Sequence, residues 1–139
     1  MISDDLSNFK LVDFGVSKLF NTGKEIIDMI TPTGIPAYRA PEIFKGQKFD
    51  EKIDEWNCGH VFYEMLIGKH ISSKKYFYKN YKQLKKIRLY KLIKEKEIKL
   101  KIKGLTGETQ KLIEKLLELN PRKRVTATEC LSWQIFTGI

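Results

Sequence analysis

A mainly α fold, with one short strand or hairpin ahead of a long loop, is what this sequence predicts. Three observations carry the expectation. Capped helical stretches follow one another after residue 50, and a single short alternating run lies near the start. Between them, residues 16–39 show no period and contain the breakers Gly23, Pro32, Gly34 and Pro36. The 42% hydrophobic and 31% charged fractions fit a globular chain rather than a disordered one. A chain of 139 residues suffices for one core that buries roughly 65–70% of the unfolded surface. No repeat or Pro-, Gly- or Ser-rich linker divides it, so residues 1–139 are read as one unit.

Phe9-Lys10-Leu11-Val12 alternates as a strand does and is stopped by Asp13-Phe14-Gly15. The loop that follows is long for a compact domain, and such loops are usually functional. Glu51 to Ile67 reads as a helix ended by Gly68. Its apolar residues include Ile53, Trp56, Val61, Phe62, Met65, Leu66 and Ile67, which lie on nearly every face. A helix of that kind is expected to be buried on all sides. A second helix is predicted over Tyr81 to Lys96. A third runs from Gly107 to Leu119, with Thr106 as N-cap, Leu112, Ile113, Leu116 and Leu117 inward, and Pro121 beyond its end. A fourth opens at the capping box Thr126-Ala127-Thr128-Glu129 and carries Cys130 and Leu131.

The net charge of +9 is concentrated in one place: residues 69–103 hold 14 Lys and Arg against 2 acids. Tyr76, Phe77, Tyr78, Tyr81 and Tyr90 interleave with those lysines. This segment is read as a solvated helix and loop with inward aromatics rather than as a nucleic-acid interface. A basic surface there would prefer acidic partners. No run of about 18 apolar residues occurs, so no membrane span is expected. The opening Met1-Ile2-Ser3-Asp4-Asp5 is acidic and polar, unlike a secretory leader. Cys58 and Cys130 sit in apolar helical patterns, so both are expected to be free, buried thiols in a reducing, cytoplasmic setting.

Four separated motifs occur in one order: Lys10-Leu11-Val12-Asp13-Phe14-Gly15, Ala40-Pro41-Glu42, Asp54-Glu55-Trp56-Asn57-Cys58-Gly59 and Asn120-Pro121-Arg122-Lys123-Arg124. Together they resemble the protein kinase family. The first is similar to the family's strand and metal-binding turn, and the second to the end of its activation segment. The third is similar to the Asp-x-Trp-Ser-x-Gly start of the central helix in the large lobe, and the fourth to a late Asp-Pro-x-x-Arg element. The resemblance spans about Phe9 to Phe136 and implies a Ser/Thr-type large lobe. The stretch Glu51 to Gly68 most resembles calcium/calmodulin- and calcium-dependent kinases, while Tyr38-Arg39-Ala40-Pro41-Glu42 also recurs in proline-directed ones.

Phosphoryl transfer rests on positioning and charge neutralisation. The resemblance implies Mg²⁺ and ATP as cofactors, with the Asp13 carboxylate on the metal that bridges the nucleotide phosphates. Gly15 permits the tight turn, and Phe14 is expected to pack inward. Glu42 and Arg124 are implied as a buried ion pair that holds the activation segment against later helices. Asp54 would accept backbone hydrogen bonds from the catalytic loop, and Trp56 would pack structurally. Gly34, Pro36 and Tyr38 match the segment that receives the substrate residue next to the phosphoacceptor. Thr31 has the spacing of an activating phosphothreonine or is an ordinary loop threonine, with Ser17, Thr22 and Thr33 as further candidates.

The sequence also departs from the family. No Gly-rich phosphate loop, strand lysine, partner glutamate or His-Arg-Asp…Asn catalytic loop is found in it. His60 and His70 fall in and after the central helix, so neither begins the catalytic motif. Ile35 stands where Ser/Thr-specific members carry a threonine whose hydroxyl links the substrate loop to the catalytic residues. Asn57 replaces the usual serine, and Trp133-Gln134-Ile135 stands where a His-Pro-Trp often closes the domain. The expectation is a truncated kinase domain, inactive alone, whose partners are protein substrates or regulators and the missing upstream portion. The alternative is a non-catalytic, pseudokinase-like binding module; charge alone supports a third reading, a basic interaction protein. Surface around Trp56, Val61 and Phe62 is expected to be exposed and to leave the isolated chain poorly soluble or molten.

Overall fold

In the computed structural model the described residues are 10–17, 34–35, 38–44, 47, 49–69, 71, 105 and 107–137. Among them the secondary structure is helical, in agreement with the mainly α expectation. The helices are α1 (Pro41–Phe44), α2 (Lys52–Ile67), α3 (Gly107–Leu116), α4 (Ala127–Leu131) and α5 (Gln134–Thr137), with a 3₁₀ turn at Pro121–Lys123. No described residue forms a strand element, so the strand expected at Phe9–Val12 is not seen across residues 10–12, and Phe9 lies outside the described residues. The predicted helix over Tyr81 to Lys96, the Thr106 cap and most of the basic segment also lie outside them.

α2 organises the rest. It starts where Asp50 Oδ1 accepts the Lys52 N–H at 3.1 Å, with Asp54 and Glu55 in its first turn. It ends on Gly68, whose φ of 70° is left-handed and whose N–H returns to the Glu64 carbonyl at 2.8 Å. Gly68 lacks the Cβ that penalises this conformation, which is why the helix stops there.

One face of α2 carries Trp56, Gly59, His60 and Tyr63, all buried, at the three- and four-residue spacing of a single helical stripe. That stripe meets α3. A Cβ added at Gly59 would lie 2.9 Å from Leu116 Cβ and 2.9 Å from Leu117 Cδ2, so only glycine permits the two helices this close an approach. Leu112, Ile113, Leu116 and Leu117 are buried as predicted. Leu119, placed inside the helix by the sequence pattern, falls after its end at Leu116. Trp56, Tyr63, Ala40, Ile71, Ile113 and Leu117 form one cluster; Leu112, Leu116, Val125 and Cys130 form another, and Phe62 packs against both.

α4 confirms the capping box. The Thr126 hydroxyl accepts the Glu129 N–H at 3.1 Å, while Glu129 Oε2 accepts the Thr126 N–H at 2.7 Å. These bonds favour the charged carboxylate and hold the Glu129 carboxyl below its usual range. α1 and α5 were not foreseen; each is only four residues long, too short to show a period.

α2 is not covered all round: Val61 is 46% exposed, as expected of uncovered surface there, and Met65 and Leu66 are 67% and 50% exposed. Two burial expectations are corrected. Trp56, expected beside exposed surface, is fully buried, because Arg124 and α3 close over its side of the helix. Cys58 is exposed, since it shares a face with Asp54, Val61 and Met65 and points away from α3, whereas Cys130 is buried. Both thiols are free, and burial pushes each of them above its ordinary range, assisted at Cys58 by Asp54 and Glu55. No helix among the described residues is long and apolar enough to cross a membrane.

Candidate functional site

The structure gathers the candidate residues into two places of different character. The first is an anchor around Arg124. Its Nη1 and Nη2 donate to Glu42 Oε1 and Oε2 at 2.8 and 3.1 Å, a bidentate pair spanning 82 residues of sequence. Nε donates to the Glu118 carbonyl at 3.0 Å, and Nη1 also reaches the Lys52 carbonyl. The guanidinium lies 5.2 Å from the Trp56 ring centre, within cation–π range. Lys52 Nζ in turn donates to the Arg124 carbonyl at 3.0 Å. Side-chain exposure of the pair is 0% and 2%, so solvent does little to screen it. One side chain thereby joins α1, the start of α2 and the segment that follows α3. Local geometry prepares it: Asn120 Oδ1 accepts the Arg122 N–H at 3.1 Å, and Pro121 begins a 3₁₀ turn that delivers Arg124 inward.

Tyr38 extends this anchor. Its hydroxyl donates to Glu64 Oε2 at 2.6 Å, and its ring meets the His60 ring edge-on at 5.8 Å. His60 also lies 5.4 Å from Trp56. Just upstream, Gly34 adopts a φ of 76°, a left-handed turn that its lack of a Cβ allows. Arg39 Nη2 donates to the Gly34 carbonyl at 2.8 Å, and the Tyr38 N–H to the Ile35 carbonyl at 3.1 Å. The loop is therefore tied back on itself, with Ile35 57% exposed at its crest. Sequence reasoning missed Arg39, Glu64 and His60. A tyrosine and a glutamate 26 residues apart give no local signal, and only the fold brings them together.

The second place is the turn at Asp13. Asp13 has a φ of 65°, the one positive value among the described non-glycine residues. Aspartate tolerates this region better than most residues, and such strain concentrates at functional positions. Its Oδ1 accepts the Gly15 N–H at 3.4 Å, and Ser17 donates from N and Oγ to the Phe14 carbonyl at 3.0 and 2.7 Å. Residues 10–17 are all exposed. Phe14, expected to pack inward, is 67% exposed, because no described element lies against it; Leu11 is 87% exposed for the same reason.

Asp54 lies on the exposed stripe of α2, with Cys58, Val61 and Met65. Partial desolvation pushes its carboxyl above the ordinary range, and no described donor meets the carboxylate. Thr31 and Pro36 lie outside the described residues. The described residues do not by themselves assemble a complete Mg²⁺ site. Asp13 offers one carboxylate, and no group of three or more His, Cys, Asp or Glu among the described residues could hold a metal ion.

Comparison with known proteins bears on this geometry. The model of the protein kinase domain matches residues 1–136. The chain is 29% identical over 137 residues to CBL-interacting protein kinase 25 of Oryza sativa subsp. japonica, covering 98% of this chain and 25% of that protein. It is 29% identical over 136 residues to CBL-interacting serine/threonine-protein kinase 15 of Arabidopsis thaliana, covering 96% and 30%. To Serine/threonine-protein kinase 33 of Bos taurus it is 27% identical over 134 residues, covering 94% and 26%. The chain spans 25–30% of the length of these relatives.

Proposed function

The chain belongs to the protein kinase family, with Ser/Thr kinases among its relatives, and from that membership we propose that it forms the later part of a Ser/Thr kinase catalytic domain. The part runs, over residues 1–139, from the stretch before Asp13-Phe14-Gly15 to the end of the large lobe. The observation that carries this reading is the Arg124 anchor: Arg124 of the Asn120–Arg124 motif makes a buried bidentate contact with Glu42 of the Ala40-Pro41-Glu42 motif and lies over the Trp56 ring of the α2 motif. Three of the four sequence motifs thus meet in space.

The family's activity is transfer of the ATP γ-phosphate to protein Ser or Thr, with Mg²⁺ as the charge-neutralising ion. In this proposal Asp13 supplies one metal ligand, and a catalytic loop outside this sequence supplies the base and the second ligand. The 139 residues alone are then inactive. The exposed face of α2 and the Asp54 carboxylate await the upstream kinase portion, whose backbone donors would lower the cost of ionised Asp54. Within the family we place α2 nearest the calcium/calmodulin- and calcium-dependent kinases. We assign the full kinase to the cytoplasm, with protein substrates and regulators as partners rather than nucleic acid. The names of the CBL-interacting relatives support a protein regulator, and the basic segment at residues 69–103 suits an acidic one.

Ile35 favours a second reading, a non-catalytic binding module. It is exposed at the crest of the loop and has no hydroxyl to link that loop to catalytic residues. Supplying a kinase small lobe and catalytic loop upstream of Lys10 separates the two. Mg²⁺- and ATP-dependent phosphorylation of a protein substrate, lost on Asp13→Ala, supports the enzyme. A folded, complete domain that remains inactive supports the binding module.

A further inference from the structure

We draw no further inference here: the strongest candidate, the exposed apolar face of α2 formed by Cys58, Val61, Met65 and Leu66, is an unpartnered helix face, and nothing among the described residues shows what covers it beyond the upstream kinase portion already proposed.

Discussion

Glu42 is 2% exposed and grips Arg124 with both carboxylate oxygens, whereas Asp13 sits in a turn whose described neighbours are all exposed. Both acids belong to recognisable motifs, yet the fold treats them in opposite ways. Everything Glu42 needs lies within this chain: an arginine, three further acceptor groups or rings around it, and a core that excludes water. Among the described residues Asp13 meets only its own turn, through the Gly15 N–H. The contrast separates a motif whose contacts are made among the described residues from one whose partners, beyond its own turn, are not found among them.

The contrast is broken most severely at Arg124. Replacing Glu42 with alanine leaves a buried guanidinium without its counter-charge and is expected to cost about 3–5 kcal/mol. The readout is the urea midpoint or amide exchange of α2 and α3. The same substitution at Asp13 should leave both readouts within about 0.5 kcal/mol of the parent, as for exposed positions. Next is Gly59→Ala, whose methyl meets Leu116 and Leu117 at 2.9 Å. A loss of about 1–3 kcal/mol is expected as the helices move apart; an unchanged midpoint would refute the close crossing.

Asp13→Gly sharpens the comparison from the other side. Removing the Cβ from a residue at φ 65° relieves local strain, offset by glycine's greater freedom when unfolded. The net change should be a gain of no more than about 1 kcal/mol, seen as a small rise in Tm. A clear loss would mean that the Asp13 carboxylate has structural partners the turn does not show.

The smallest effect belongs to Asp54. Its carboxyl is raised by desolvation, so the folded chain disfavours the ionised form. Asp54 therefore detracts from stability above its folded pKa, and this contribution vanishes as pH falls below the unfolded carboxylate value near ~4. Asp54→Asn should stabilise the isolated chain slightly at pH 7, by less than about 0.5 kcal/mol given its solvent exposure. The gain should shrink towards zero at pH 3. Unfolding curves at both pH values measure it, and a loss at pH 7 would show that a donor already meets the carboxylate.

How far the sequence foretold these features depends on the range of the contacts involved. α2, α3 and α4 were legible because their signals are local: the Gly68 stop, the apolar spacing through Leu117, and the Thr126–Glu129 capping box. The Glu42–Arg124 pair was legible only through family resemblance, since nothing local links residues 82 apart. The Tyr38–Glu64 and Arg39–Gly34 bonds escaped both routes. The burial of Phe14 and Cys58 was misjudged because apolar pattern reports what a face can bury, and only neighbouring elements decide what it does bury. For α2 the apolar residues run all round, but the described neighbours cover one side.

The central proposal is that these 139 residues retain the Arg124 anchor and do not transfer phosphate by themselves. Incubating the purified chain with Mg²⁺, γ-labelled ATP and a generic protein substrate, beside its Asp13→Ala variant, tests it most directly. The account predicts no label above background from either chain. Saturable transfer by the parent chain that Asp13→Ala abolishes would contradict it.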